Sequence, residues 1–275
     1  MTGKRFVKDF RVAPGDHIRL RDFNPTYKGN FQKHEALEKV EELRQKLNDL
    51  QQRLFAECKR SLLIILQALD AGGKDGVIKH VIGSMSPDGC HVANFKEPTP
   101  KELAHDFLWR VEAQTPEKGQ VAIFNRSHYE DVLVVRVHDL VPEAIWRGRY
   151  DEINQFEKEL VAGGTTLVKV AMFVSLDEQK SRLRERLERR DKYWKYNPSD
   201  VDERLLWPAY QDAYQAMLDL TSTDYAPWHV VPCDRKWYSR LAVTELLIDA
   251  LEKLDLDWPP ATFDIDAEKR RLAES

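Results

Sequence analysis

Over 34–59 leucines and a valine recur at intervals of three and four: Leu37, Val40, Leu43, Leu47, Leu50 and Leu54. That spacing lays one apolar stripe along one helix. Such a stripe serves either the chain's own core, the commoner use, or a subunit interface. After Lys59 the period changes. Residues 61–66 read SLLIIL, an apolar run followed by a turn-rich stretch, as a parallel strand buried on both faces requires. Further strands are predicted at 91–95, 120–124, 165–175 and 228–232. Helical patterns fall between them, at about 77–85, 100–114, 129–138, 143–162, 177–192, 200–222 and 236–254. Strands separated by helices mean right-handed crossovers, so the expected fold is α/β: a five-stranded parallel sheet with helices on both faces. Ahead of it, residues 1–33 contain Pro14, Gly15, Pro25 and Gly29 and no sustained period, which predicts an extended arm. Behind it, the charged, apolar-poor segment 258–275 predicts a mobile tail.

Composition narrows the class. The chain has 275 residues, 42% hydrophobic and 32% charged, enough for one domain with its own core and unlike a disordered chain. Its longest apolar run is five residues, 62–66, too short to span a bilayer, so no membrane partner is expected. The first ten residues lack the apolar stretch of a secretory leader, and a cytoplasmic location is expected. Cys58, Cys90 and Cys233 lie far apart and read as free thiols. A net charge of -4 argues against nucleic acid as a partner. The average conceals one exception: residues 180–195 hold eight lysines and arginines against three acidic residues. That density suits an anionic ligand bound at one place, or a solvated helix face laced with Glu185 and Glu188.

The first strand runs into 67–76, QALDAGGKDG, and then into a helix. Strand, glycine loop and helix N-terminus together make a phosphate cradle, with Lys74 reaching the outer phosphates. Against the pattern G-x-x-x-x-G-K-[ST], Gly73-Lys74 fits, while Ala68 replaces the first glycine and Asp75 the hydroxyl residue. Ala71, Gly72, Gly73, Asp75 and Gly76 are the predicted phosphate-binding positions. Asp70 and Asp75 would repel a phosphate ligand unless a cation lies between them, which predicts a divalent metal on these two carboxylates.

The third strand ends in 125–131, NRSHYED, and ligands of parallel sheets collect outside the carboxyl ends of strands. Asn125 stands where P-loop enzymes commonly carry a metal-binding aspartate. Arg126 suits a bidentate clamp on a phosphoryl group, and Glu130 and Arg136 are expected at the same cleft. His128 has no nucleophile to serve and is expected to support the site through a hydrogen bond.

Three segments in order, 69–76, 124–131 and Arg186 with 192–195, resemble the polyphosphate kinase 2 family, in the form of its class III-like subgroup. The resemblance spans about 37–254. It implies a three-layer P-loop kinase fold like that of thymidylate kinase, a single domain over 1–275 with a helical lid at 180–200. It also implies reversible phosphoryl transfer from inorganic polyphosphate to AMP or ADP, guanine nucleotides being the alternative acceptor. Mg²⁺ is the implied cofactor, with Mn²⁺ as the alternative ion. Asp70, Lys74, Asn125 and Arg126 take the catalytic roles, with loop 70–76 holding the acceptor's phosphates. Lys79, Arg182, Arg186, Arg190, Lys192 and Lys195 grip the polyphosphate. Together with the 34–59 stripe it implies a homo-oligomer, dimer or tetramer. The chemistry needs no general base, because a phosphate acceptor is already ionised near pH 7. Two other readings share these residues: an ATP-dependent nucleoside monophosphate kinase, and a nucleotide-binding regulator without turnover.

Overall fold

The computed structural model of the chain describes residues 9–16 and 18–275. Strands β1 (Arg11–Val12), β2 (Ser61–Gln67), β3 (Cys90–Asn94), β4 (Val121–Asn125), β5 (Thr165–Phe173) and β6 (Trp228–Pro232) form a sheet in the order β1-β6-β5-β2-β4-β3. β2 to β6 are mutually parallel, at the five places where the sequence predicts strands. The strand count needs one correction. β1, two residues long, pairs antiparallel with β6 and makes a sixth strand inside the arm. Residues 1–8 and 17 of that arm lie outside the described residues.

Among the described residues eight α-helices exceed four residues: α1 (Lys33–Glu57), α2 (Lys74–His80), α3 (Glu143–Ala162), α4 (Leu176–Glu188), α5 (Ser199–Leu205), α6 (Trp207–Thr221), α7 (Lys236–Glu252) and α8 (Ile265–Ala273). α1 begins with a capping box between Gln32 and Glu35, which satisfies donors at its first turn. Five of its six stripe residues are buried in the core with residues of α7, whereas Leu37 is exposed. The stripe therefore serves the chain's own core. Leu62, Ile64 and Leu66 of β2 face that layer. Leu63 and Ile65 face the opposite one, where α3 and α6 contribute Trp146, Ile153, Tyr210 and Met217. Burial on both faces is why β2 reads as a continuous apolar run.

Several predicted helices are shorter or broken. The pattern at 200–222 divides after Leu205, with Pro208 in the first turn of α6, where proline is tolerated. The pattern at 177–192 ends as α4 at Glu188 and continues as a 3-10 turn, Arg190–Lys195. The 100–114 pattern yields two single turns, Pro100–Leu103 and Trp109–Glu112. The 258–275 segment contains α8, whose residues are nearly all exposed.

Strand order positions the site. After β4 the chain crosses to the far side of β2 to form β5, which places the carboxyl end of β2 at a topological switch point.

Candidate active site

β2 delivers the chain into the loop before α2. Ala71 and Gly73 both have positive φ, +57° and +111°. A Cβ on Gly72 would lie 2.7 Å from the Ala68 Cβ and 2.8 Å from the Leu69 carbonyl, so only glycine fits there. Lys74 folds back and donates from Nζ to the Ala68 carbonyl at 2.6 Å. Burial, helped by the charge of Arg126, pulls its pKa down to about 8, against the opposing charges of Asp70, Glu130 and Asp75.

Register joins the loop to the second motif. Leu66 pairs with Asn125 across β2 and β4, and the Arg126 N–H donates to the Leu66 carbonyl at 3.1 Å. Arg126 itself has φ +62°, a left-handed conformation that side chains rarely adopt. Its guanidinium donates to Asp70 Oδ1 at 2.7 Å and lies 3.7 Å from Glu130 Oε2. Burial works against its charge, but Glu130 and Asp70 outweigh that and hold its pKa above the ordinary value. Asn125 donates to Asn94 Oδ1 at 2.9 Å and lines the cleft beside the loop. His128 is buried against Glu157, in keeping with a supporting hydrogen bond.

Two clefts meet at the Asp70–Arg126 pair. The first, about 450 Å³, is lined by the loop 70–76, by Lys79, by the lid and by the start of α7. Nine lysines and arginines line it against three carboxylates. The second, about 220 Å³, reverses that balance: Asp70, Glu130, Asp200 and Glu203 face one cation, Arg126, with Trp207, Tyr210 and Tyr214 as aromatic wall.

Among the predicted lid residues, Arg186, Lys192 and Lys195 line the first cleft. Lys195 donates to Asp75 at 3.0 Å, Lys192 is bonded to Glu185, and Arg186 pairs with Asp200 at 3.0 Å. Burial raises the Asp75 carboxyl, but the bonds from Lys195 and Asn125 and the charges of Lys195 and Lys74 bring it below its ordinary value. Arg182 lies in the cleft wall but is spent on structure. It is buried, paired with Glu178, and donates to the carbonyls of Ala71, Cys233 and Asp234. Two predicted residues are placed elsewhere. Arg136 stacks 4.8 Å from the Trp146 ring centroid and donates to Tyr150, while Arg190 is exposed and lines neither cleft. Tyr193 and Trp194 of the lid are exposed, Trp194 at 78%.

Sequence reasoning missed Lys236 and Arg240, four residues apart at the start of α7. Their signal was available, since the helix after β6 begins at the same edge of the sheet. Arg240 buries its Nε with no hydrogen-bond partner among the described residues, and burial lowers its pKa. The second cleft was missed altogether, although 200, 203, 207, 210 and 214 follow the three-four spacing of one helical face.

The charges around the predicted metal site differ from the sequence expectation. Asp70 and Asp75 already face Arg126 and Lys195, so their mutual charge does not by itself demand an ion. Among the described residues no group of three or more His, Cys, Asp or Glu side chains could hold one. Mg²⁺ still fits this donor set, because it is commonly held by one or two carboxylates together with substrate phosphates.

A parallel sheet, a glycine loop entering a helix at the switch point and a cationic lid define a P-loop kinase. The family model described as Polyphosphate kinase 2 (PPK2) matches residues 30–258, and the chain belongs to that family. It is 46% identical over 255 residues to an AMP/ADP-polyphosphate phosphotransferase of Meiothermus ruber, covering 92% of this chain and 96% of that one. It is 40% identical to an ADP-polyphosphate phosphotransferase of Rhodopseudomonas palustris, covering 93% of each. The crystal structure of Polyphosphate Kinase 2 from Arthrobacter aurescens superposes with a TM-score of 0.95 at 44% identity, over 100% of this chain and 98% of that one.

Proposed function

We propose that this chain transfers phosphoryl groups from inorganic polyphosphate to AMP or ADP, with the donor in the cationic cleft and the acceptor's nucleoside in the acidic one. The observation that carries this reading is the opposite charge of two clefts sharing Asp70 and Arg126. A linear polyanion is repelled by four carboxylates. A nucleoside offers ribose hydroxyls and base N–H groups that donate to carboxylates, and a flat base that lies against Trp207 or the tyrosines. This assigns loop 70–76 to the donor, where the family resemblance implies the acceptor's phosphates.

An acceptor phosphate oxygen attacks the terminal phosphorus of the donor, and the bond to the penultimate phosphate breaks. The products are a nucleotide one phosphate longer and a polymer one phosphate shorter. Lys74 and the lid cations hold the donor in line, and Arg126 neutralises charge where the two anions meet. Asp70 orients Arg126 through their hydrogen bond. Mg²⁺, held by Asp70 and Asp75 with the substrates' phosphates, would supply further charge neutralisation. No helix among the described residues is long and apolar enough to cross a membrane. A cytoplasmic homo-oligomer remains part of the proposal.

Product analysis with Mg²⁺, offering AMP or ADP against long-chain polyphosphate or ATP, tests the reading. ATP formed from ADP and polyphosphate is the expected result. Product from ATP and AMP alone would make the chain an ordinary nucleotide kinase, and binding without turnover would make it a regulator.

A further inference from the structure

Under Arg126, four side chains that line neither cleft are joined out of reach of water. Lys169 of β5, Glu157 of α3, and His128 and Tyr129 of the turn after β4 are all completely buried. Lys169 Nζ donates to Glu157 Oε2 at 2.6 Å, to the Tyr129 hydroxyl at 2.9 Å and to the Thr221 carbonyl at 2.7 Å. All three ammonium donors are thereby used. The Tyr129 hydroxyl donates to Glu157 Oε1 at 2.6 Å, and His128 Nε2 lies 3.3 Å from the same oxygen. The ammonium also sits 5.4 and 5.2 Å from the ring centroids of Tyr129 and Trp228.

Stability is a poor explanation for such a group. Apolar residues of similar volume often serve a core as well as a buried ion pair, or better. What this network fixes is direction: of its side-chain polar atoms only the buried His128 Nδ1 has no hydrogen-bond partner among the described residues. His128 and Tyr129 follow Arg126 and Ser127 in sequence, and Arg126 occupies a strained left-handed conformation. Strain of that kind persists only where the surroundings over-determine it. Upstream, the Arg126 N–H is tied to β2 through the Leu66 carbonyl. Downstream, the Ser127 hydroxyl bonds to Gln67 Oε1 at 3.2 Å and accepts from the Tyr129 N–H at 3.2 Å. The other end of Gln67 donates to Glu130, which flanks the guanidinium. The strained residue is therefore tied to β2 on both sides, at Leu66 and through Ser127 at Gln67, and the buried quartet anchors the turn that follows, whose Tyr129 N–H holds the Ser127 hydroxyl.

We propose that Tyr129 and the Glu157–Lys169 pair are positioning residues, which hold the backbone of Arg126 so that its guanidinium stands between the two clefts. This rests on the reading of Arg126 as the group that meets the transferred phosphoryl.

Tyr129→Phe keeps the ring in place and removes its bonds to Glu157 and Lys169. The kcat, KM for ADP and for polyphosphate, and Tm are measured for this change in the wild-type and in the Arg126→Lys background. The expected result is a kcat about tenfold lower in wild type with both KM values within about twofold. In the Arg126→Lys background the same change costs less than about twofold, while Tm falls equally in both. An unchanged kcat with a lowered Tm would reduce the quartet to core packing. An equal loss of kcat in both backgrounds would mean that it does not act through Arg126. If Tyr129→Phe does not fold, Lys169→Met with Glu157→Leu is put through the same cycle and judged by the same outcomes. Wild-type kcat in Arg126→Lys alone would instead sink the reading of Arg126, and with it the purpose assigned to the quartet.

Discussion

The cationic and acidic clefts rise from the same edge of the sheet, share Asp70 and Arg126, and differ in almost everything else. One is walled by the loop, the lid and the start of α7; the other by α5, α6 and the turn after β4. The contrast shows how one protein can bring together two substrates that are both anions. On the proposed assignment the polyphosphate enters along the cationic wall and the acceptor's neutral nucleoside along the acidic one, so that the like charges of the two substrates meet only where a guanidinium stands between them.

Breaking that meeting point has the largest expected effect. Arg126→Ala lowers kcat on the order of a thousandfold, as loss of a charge clamp does in other phosphoryl transfers, with little change in Tm. Near-normal turnover would remove the residue from the site. Next comes Arg182, which separates structural cations of the first cleft from ligand-binding ones. Arg182→Met leaves three carbonyls and Glu178 without their donor, and stability in urea falls by about 2–3 kcal/mol. Its KM for polyphosphate, measured on the folded fraction, stays within about twofold. Charge reversals in the two clefts test the sorting directly. Lys192→Glu raises KM for polyphosphate about tenfold and leaves that for ADP unchanged, whereas Glu203→Lys does the opposite. If both reversals moved the same constant, the division between donor and acceptor clefts would be wrong.

The smallest effect is one of pH. Lys74 in the free enzyme titrates near 8, so it is charged below that value and neutral above it. Steady-state kcat/KM for polyphosphate therefore declines as pH rises through about 8, and Lys74→Arg moves the decline to higher pH. Its contribution to folding has the opposite sense. The unfolded lysine, at 10.5, binds more protons than the folded one between about 8 and 10.5, so this group makes stability rise with pH across that window. An alkaline limb unmoved in Lys74→Arg would assign it to another group.

What could be read from the sequence depends on how local each signal is. β2 announces itself because every one of its residues is buried, and the loop after it because glycine and lysine fall at fixed offsets. β1 could not be read: two residues make a strand only because the edge of β6 is there to pair with them. The lid shows the same limit in its charges. Eight cations in 180–195 are plain in the sequence, but the groups that commit Arg182 are carbonyls at 71, 233 and 234. Arg136 failed for a similar reason, its partners Trp146 and Tyr150 belonging to the next helix. The acidic cleft was written as a helical stripe, yet carboxylates at 200 and 203 followed by aromatics at 207, 210 and 214 resemble an ordinary amphipathic face until Arg126 is seen across from them.

The pairing of lid lysines with carboxylates has a consequence in polyelectrolyte terms. Lys192 and Lys195 are bonded to Glu185 and Asp75, so the cleft carries part of its counterion atmosphere as fixed side chains. On the proposed assignment of the donor to this cleft, an incoming chain of phosphates displaces these carboxylates rather than dissolved ions. The gain from releasing ions to bulk solvent is reduced accordingly, and the affinity for polyphosphate falls with salt less steeply than nine cations would otherwise dictate.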